Sequence, residues 1–527
     1  MISPAIWAAL ITCIFCLWAT NRQRLPKLPL PPGPKRYPLI GSAFQMPRYH
    51  EFLTFTEWRK QWGDYIYLKV FGLEFLVINS YAVAKELLEK RSVNFSDRPR
   101  MIMAGEIRIG WNTATAITPF NDTFKNHRRL MARAAGGKNA EAFWPVEERE
   151  RRKFLLHLIE EPKNLVHLIR RLEGSVILEI AYGYPVQKNG DPFVTLAETT
   201  MDQFSISTTY GAFMVDIVPA MRYIPEWFPG GGFKKIAREW GSNFHSAVEK
   251  PFMYVKEEMT AGKARPSFSA QMLTRGDEKE EFIKGAAFSL YAGGSDTAVA
   301  ALTIFFYLMI KHPEVQAKAQ AEIDSLTQGE YLPTWSDRAK LPYVEAVMLE
   351  CLRWGPIAPL GFPHRVMAED EFEGHRIPEG TLCLPNLWYI HLHKTLQKII
   401  RSYLNRAMMH DPNYYTNPDE FNPERFTKNA PELDPRNIVF GFGRRYLRAL
   451  LPSRALADSG IWLTIALVLA TFNITKGVDE DGNEVDPVIN FTSATICRAE
   501  PFPYTVTPRS EKATQLVKDN QLEYNIL

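Results

Sequence analysis

Gly293-Gly294-Ser295-Asp296-Thr297 sets an acid beside a hydroxyl, directly after two residues without side-chain bulk. On a helix, such glycines let a flat ligand or a neighbouring helix lie against the backbone, and an acid–alcohol pair can pass protons. A second group is Glu350 and Arg353, three apart and so on one helix face, with Arg425 available downstream to join the same carboxylate. Each set also has a plain explanation, as an exposed polar pair or a solvated ion pair.

The elements that must carry these residues are mostly helical in period. A long helical pattern over Glu281 to Lys311 has Gly293 and Gly294 near its centre, where each glycine costs about 1 kcal/mol relative to alanine and therefore needs a compensating contact. A shorter amphipathic pattern, Leu341 to Trp354, carries Glu350 and Arg353 and ends at Gly355 and Pro356. Between Leu68 and Ile78, β-type residues interrupted by Gly72 predict a hairpin. The expected class is mainly α with a minor β portion, in one large unit, because no repeat or composition break marks a second domain after Tyr37.

Composition is that of a globular protein, and a net charge of +3 spread along the chain argues against a nucleic-acid partner. The five cysteines, Cys13, Cys16, Cys351, Cys383 and Cys497, fit neither a disulfide framework nor a zinc site. Ile2 to Thr20 is apolar and long enough to span a bilayer, so residues 1–20 are expected to form a transmembrane anchor. Arg22, Arg24 and Lys27 follow it, which by the positive-inside rule keeps the large domain cytosolic. Residues 21–36 then form a basic, Pro-rich hinge, with five prolines between Leu25 and Pro34.

Four motifs fall in a fixed order: Gly293 to Ala298, Glu350 to Arg353, Phe421 to Phe426 and Phe440 to Arg445. In this order, behind an anchor and a Pro-Pro-Gly-Pro hinge, the chain resembles the cytochrome P-450 family of haem-thiolate monooxygenases, in particular fungal microsomal members of the O-methylsterigmatocystin oxidoreductase type. The resemblance implies a triangular, helix-rich prism with small β-sheets behind an N-terminal transmembrane helix. It places one haem monooxygenase domain at 37–510 and leaves 511–527 as a C-terminal tail. It assigns oxygen activation to Thr297, proton supply to Asp296, and a buried structural triad to Glu350, Arg353 and Arg425. Gly293, Gly294, Phe440 and Gly443 would border the haem, and Arg128, His364 and Arg445 would take its propionates. Phe124 stands where the family's WxxxR helix has tryptophan.

The resemblance fails at one position. The family's FxxGxRxCxG loop puts the axial cysteine at position 447, and position 447 is Leu447, with Ala449 in place of glycine. Leucine cannot donate the electron density by which a thiolate favours O–O cleavage, so no metal ligand is assigned. Family-like sequence resumes at Arg454, which makes 446–453 a foreign ligand loop. Tyr-Leu-Arg codons such as TAT-CTG-CGC, read one base later, begin Ile-Cys-Ala, so a local frame error is the leading explanation. Residues 389–406 form a second foreign stretch of eighteen residues, whose removal joins Trp388 to Ala407. Codons TGG-TAT at one end and AAC-AGG at the other can supply the GT and AG borders of a translated intron, and His391 and His393 inside it do not make a metal site.

The function implied is haem-dependent oxidation of an apolar small molecule, a secondary metabolite or aromatic xenobiotic, with O2. The cofactor would be haem b (iron protoporphyrin IX), with electrons from NADPH through NADPH-cytochrome P-450 reductase and cytochrome b5 as a further partner. The location would be the endoplasmic reticulum membrane, in a single pass. Ile102 to Ile117 would include part of the substrate-facing loop. The rival expectations are a catalytically dead pseudoenzyme that keeps the fold, and a misread gene product.

Overall fold

The computed structural model describes residues 28–387, 407–445 and 452–526, except 48, 188, 189, 210, 356 and 493. Helix α1 (Glu51–Trp62) leads into strand β1 (Tyr65–Val70), and Phe71 and Gly72, both at positive φ, turn the chain back into β2 (Leu73–Ile78). The hairpin pairs Tyr65 with Ile78 and Val70 with Leu73, so the sequence interruption at Gly72 is the turn itself.

Helices α2 (Asp122–Ala135), α3 (Trp144–Glu160), α4 (Leu165–Tyr182), α5 (Pro192–Ser207), α6 (Phe233–Thr260) and α7 (Phe268–Arg275) follow. Then come α8 (Glu280–Lys311), α9 (Pro313–Thr327) and α10 (Pro342–Trp354). Strands β3 (His364–Arg365), β4 (Asp370–Phe372), β5 (His375–Ile377) and β6 (Leu382–Pro385) precede α11 (Pro452–Thr471), β7 (Phe472–Val478), β8 (Glu484–Val485), β9 (Tyr504–Pro508) and α12 (Glu511–Ile526).

The strands make three small sheets. One has the order β1-β2-β6-β3, with β6 parallel to β2; β4 pairs with β5, and β7 lies between β8 and β9. Helix α8 runs through the core, buried along most of its length, and packs most extensively on α4. Helices α8 and α11 each carry a stretch long and apolar enough to cross a membrane, but those stretches are 89% and 72% buried inside the protein. The expected anchor, 1–20, lies outside the described residues.

Two boundaries differ from the sequence reading. The end of the Pro-rich hinge is part of the domain: the Pro32 carbonyl accepts from Tyr67 N and the Pro29 carbonyl from Arg376 N, both at 2.8 Å. Proline lacks an N–H but keeps its carbonyl, so a proline-rich segment can still dock on a strand. Residues 511–526 are not a detached tail either. Helix α12 buries Ala513 and Val517 against α3 and α11, a face that its polar composition concealed.

Candidate functional site

Ala292, Gly293 and Thr297 of α8 form one wall of a cavity with about 1650 Å³ of space not filled by atoms, part of it open to solvent. Val439 to Phe442, Arg445 and Arg454 also line it, as do Trp111, Thr115, Ile357, Phe362 and His364. The glycine pair splits its duties. A Cβ on Gly293 would meet nothing within 4 Å, so this backbone borders open space, whereas one on Gly294 would lie 2.8 Å from Ile177, where α4 crosses. Both compensating contacts, open ligand space and a close helix, are therefore present, one per glycine.

Thr297 Oγ1 donates to the Gly293 carbonyl at 2.9 Å, which ties its hydroxyl to the cavity-facing turn. Asp296 is not among the residues that line the cavity. Its carboxylate is buried and accepts from Arg498 Nη2 at 2.6 Å, and Arg498 also pairs with Asp202 of α5. The acid and the alcohol are neighbours in sequence, but successive helical residues point about 100° apart, and only the alcohol reaches the cavity.

At one end of the cavity, cations converge. Arg445 donates to the carbonyls of Ser96 (2.8 Å), Thr115 (3.1 Å) and Thr118 (2.6 Å). Arg98 donates to those of Ala116, Phe362 and Pro363. Arg128 donates to the Arg444 carbonyl, and Phe124 lies between two guanidiniums, with Arg445 at 3.9 Å and Arg128 at 5.3 Å from its ring centroid. The ring that replaces the tryptophan thus serves as a cation platform. Burial, with the charges of Arg98 and Arg128 adding to it, pushes the Arg445 pKa down to about 8 against the opposing charge of Asp97. His364 is buried with Nδ1 2.6 Å from the Phe95 carbonyl, which assigns the proton to that nitrogen. Burial and then Arg98 and Arg445 push its pKa down to about 3, so its ring is neutral. Crowded, desolvated cations of this kind are complementary to an anionic ligand.

The second charge group sits apart from the cavity. Arg353 donates through Nε and Nη2 to both oxygens of Glu350, at 2.7 and 2.8 Å, and Arg425 Nε reaches the same carboxylate at 3.1 Å. Arg425 also pairs with Glu432 at 2.6 Å, making the group two arginines and two glutamates. Glu350 and Arg353 are fully buried, and remaining donors go to the carbonyls of Met409, Thr416, Pro418 and Glu420.

Comparison with known proteins decides the family. The model of the family described as Cytochrome P450 matches residues 31–396 and 403–475. The chain belongs to the cytochrome P450 family. It is 42% identical over 495 residues to Cytochrome P450 monooxygenase 208 of Postia placenta, covering 93% of this chain and 92% of that one. It is 41% identical over 496 residues to Cytochrome P450 monooxygenase claR of Ampulloclitocybe clavipes, covering 93% and 88%, and 36% identical over 520 residues to Cytochrome P450 monooxygenase 98 of Postia placenta, covering 96% and 95%. By family it is an oxidoreductase that incorporates oxygen from O2.

Residues on two sides of the P450 cavity fit the family's haem. Arg98, Arg128 and Arg445 suit two propionates, which His364 could join only in its protonated form, and Gly293 leaves room for a flat ring against α8. When bound with a thiolate ligand, the haem supplies oxygen activation. The third side does not fit: Leu447 and the loop 446–451 lie outside the described residues, and leucine carries no donor atom. Among the described residues, none of the buried free cysteines Cys351, Cys383 and Cys497 lines the cavity, and burial first of all raises the pKa of each thiol.

The loop leading to position 447 is set by Gly443, at φ +64°. A Cβ there would lie 1.9 Å from the Leu88 carbonyl. Arg98, Arg498, Glu432 and Trp111 are site residues that the sequence reading did not single out. Arg98 and Arg498 find their partners more than 200 residues away, or on backbone carbonyls, and no local spacing signals that.

Proposed function

We propose that this chain derives from an endoplasmic-reticulum haem monooxygenase that oxidises an apolar small molecule, with haem b as cofactor and NADPH-derived electrons delivered by NADPH-cytochrome P-450 reductase. The observation that carries the reading is one cavity lined by Arg98, Arg445 and His364 together with Gly293 and Thr297, with Arg128 joined to that cluster through the Arg444 carbonyl. Thr297 is the hydroxyl within reach of the reacting oxygen, and Asp296 supplies protons once its carboxylate leaves Arg498. Lys125, Arg128 and Arg444 line an outer concavity next to this end, a basic surface suited to an acidic electron donor. Membrane attachment rests on the apolar run from Ile2 to Thr20.

The same reading makes 389–406 a segment foreign to the fold. Its flanks support this. Met408 N donates to the Asn386 carbonyl at 3.4 Å, and Met409 N to the Leu387 carbonyl at 2.9 Å. Each pair is 22 positions apart; without the eighteen residues the spacing becomes four, that of an α-helical turn. The family match is also interrupted inside this stretch, between 396 and 403.

The test is a set of expressed chains: the sequence as written, the chain without 389–406, the chain with 446–453 rebuilt as a short Ile-Cys-x-Gly loop, and the chain with both changes. Only chains with the cysteine loop should give a thiolate-type carbon-monoxide band, and the doubly corrected chain should show reductase-dependent oxidation. A thiolate band from the sequence as written would sink the ligand assignment. A corrected chain that folded without retaining haem would sink the function.

A further inference from the structure

Thr115 joins three segments of the chain. Its N–H and its hydroxyl both donate to Ser289 Oγ of α8, at 2.9 Å each, and its hydroxyl oxygen lies 3.1 Å from Nδ1 of His127 on α2. Ser289 in turn donates to the Gly285 carbonyl at 2.5 Å, so its own proton is committed and the Thr115 proton points to Ser289. The proton between Thr115 and His127 therefore belongs to Nδ1, and the imidazole is the donor. Burial pushes the His127 pKa down to about 4, which keeps the ring neutral at pH 7.

Helix α8 is shaped for this joint. A Cβ on Gly285 would lie 2.5 Å from His127 Nε2 and 2.9 Å from the Thr113 carbonyl, so a side chain there would displace both the ring and the start of the turn. The turn that Thr115 anchors holds the cations. Its carbonyls accept from two guanidiniums: Thr115 from Arg445 Nη1 at 3.1 Å, Thr118 from Arg445 Nη2 at 2.6 Å, and Ala116 from Arg98 Nε at 2.8 Å. A guanidinium is a rigid planar fork, so a shift of these carbonyls turns the whole fork with them. Thr115, Ser289, Arg98 and Arg445 all line the cavity.

We propose that Thr115 is a positioning residue for the cationic end of the cavity: its hydroxyl, held between His127 and Ser289, fixes the turn 115–118, and the turn aims Arg98 and Arg445 at an anionic ligand. This deepens the haem-protein reading and rests on it for the ligand, a flat ring with two propionates. Thr115 acts through the two arginines rather than on the ligand.

The probes are metal-free protoporphyrin IX and its dimethyl ester, which share one ring, differ in the two charges and ask for no ligand at position 447. Their Kd values for the full chain are read by titration of porphyrin fluorescence. Thr115→Val keeps the shape and removes the hydroxyl; it should weaken the acid about tenfold and leave the ester within about twofold, whereas Thr115→Ser should bind the acid like the unaltered chain. Ser289→Ala removes the acceptor of both Thr115 donors, should give the same selective loss, and stands in if the valine chain does not fold. The double variant should bind the acid no more weakly than the weaker single one, because both changes open one joint. Equal losses for acid and ester would mark a merely structural role and overturn the proposal. Full acid binding in Thr115→Val, loss in Thr115→Ser or additive losses in the double variant would overturn it too. An unaltered chain that bound acid and ester alike would overturn the anionic-ligand reading as well, which tells the two failures apart.

Discussion

Among the buried charge groups of the described residues, those around Glu350 and Arg445 are built to opposite rules. Around Glu350 two arginines meet two carboxylates, and the remaining guanidinium donors are taken up by backbone carbonyls, so the group is closed. Around Arg445 the cations Arg98 and Arg128 gather with a neutral His364, and Asp97 is the one carboxylate that opposes the depression of the Arg445 pKa. A neutralised group in the interior holds segments together and asks for nothing more. A group left cationic at a cavity wall stores an unfavourable interaction that a bound anion releases. The difference separates a folding element from a binding element without reference to any reaction.

The strongest way to break this contrast is to open the closed group. Glu350→Ala leaves Arg353 and Arg425 buried without their shared carboxylate, and losing one partner of a buried pair costs about 3–5 kcal/mol. Little folded protein should be recovered, read as soluble yield and thermal melting. Yield and melting like those of the unaltered chain would show that the group is not the structural joint described.

Anion binding should act in the other direction at the cavity. Metal-free protoporphyrin IX keeps the two propionates and needs no axial ligand, so it tests the cations independently of Leu447. At about 100 times its Kd it should stabilise the chain by about 2.7 kcal/mol, or about 2–3 °C in Tm for a chain of this length. The dimethyl ester, which lacks the charges, should give much less, and Arg445→Leu should erase the difference. Equal shifts for acid and ester would remove the anion-binding role.

A third effect, confined to acid pH, concerns His364. Its pKa in the folded protein is about 3, against an ordinary 6.5, so between these values the unfolded chain holds a proton that the folded chain does not. Stability is therefore complete above pH 6.5 and declines as the pH falls towards 3, by up to about 1.4 kcal/mol per pH unit for this one group. His364→Gln should flatten part of that decline in Tm measured from pH 7 to 4. The rest belongs in part to His127, which burial pushes down to about 4. Bound protoporphyrin should flatten it as well, because a propionate beside His364 favours its protonated form. A decline unchanged in the variant would place His364 outside the titrating group.

How much of this was legible beforehand follows from the range of each interaction. Helical period is local, so the long helix around Gly293, the pairing of Glu350 with Arg353 and the hairpin at Gly72 could all be read from spacing. The charge groups as a whole could not. Arg425 could be offered as a third member but only resemblance made the group buried, and its second partner Glu432 was missed, because the loop that joins them has no period to read. The docking of 29–33 on the sheet and of α12 on the core also escaped, since both depend on surfaces made elsewhere in the chain.

Sequence alone determines that position 447 is leucine, that eighteen residues stand between Trp388 and Ala407, and that acid and alcohol are adjacent at 296 and 297. No packing can supply a sulfur that the chain does not encode. Tertiary structure decided which of these neighbours work together: it turned Thr297 towards the cavity and Asp296 towards Arg498, brought Met408 and Met409 back to Asn386 and Leu387, and set the Thr115 hydroxyl between Ser289 and His127. The reason is that a side chain's partner is set by the direction in which its element presents it and by what another segment brings there.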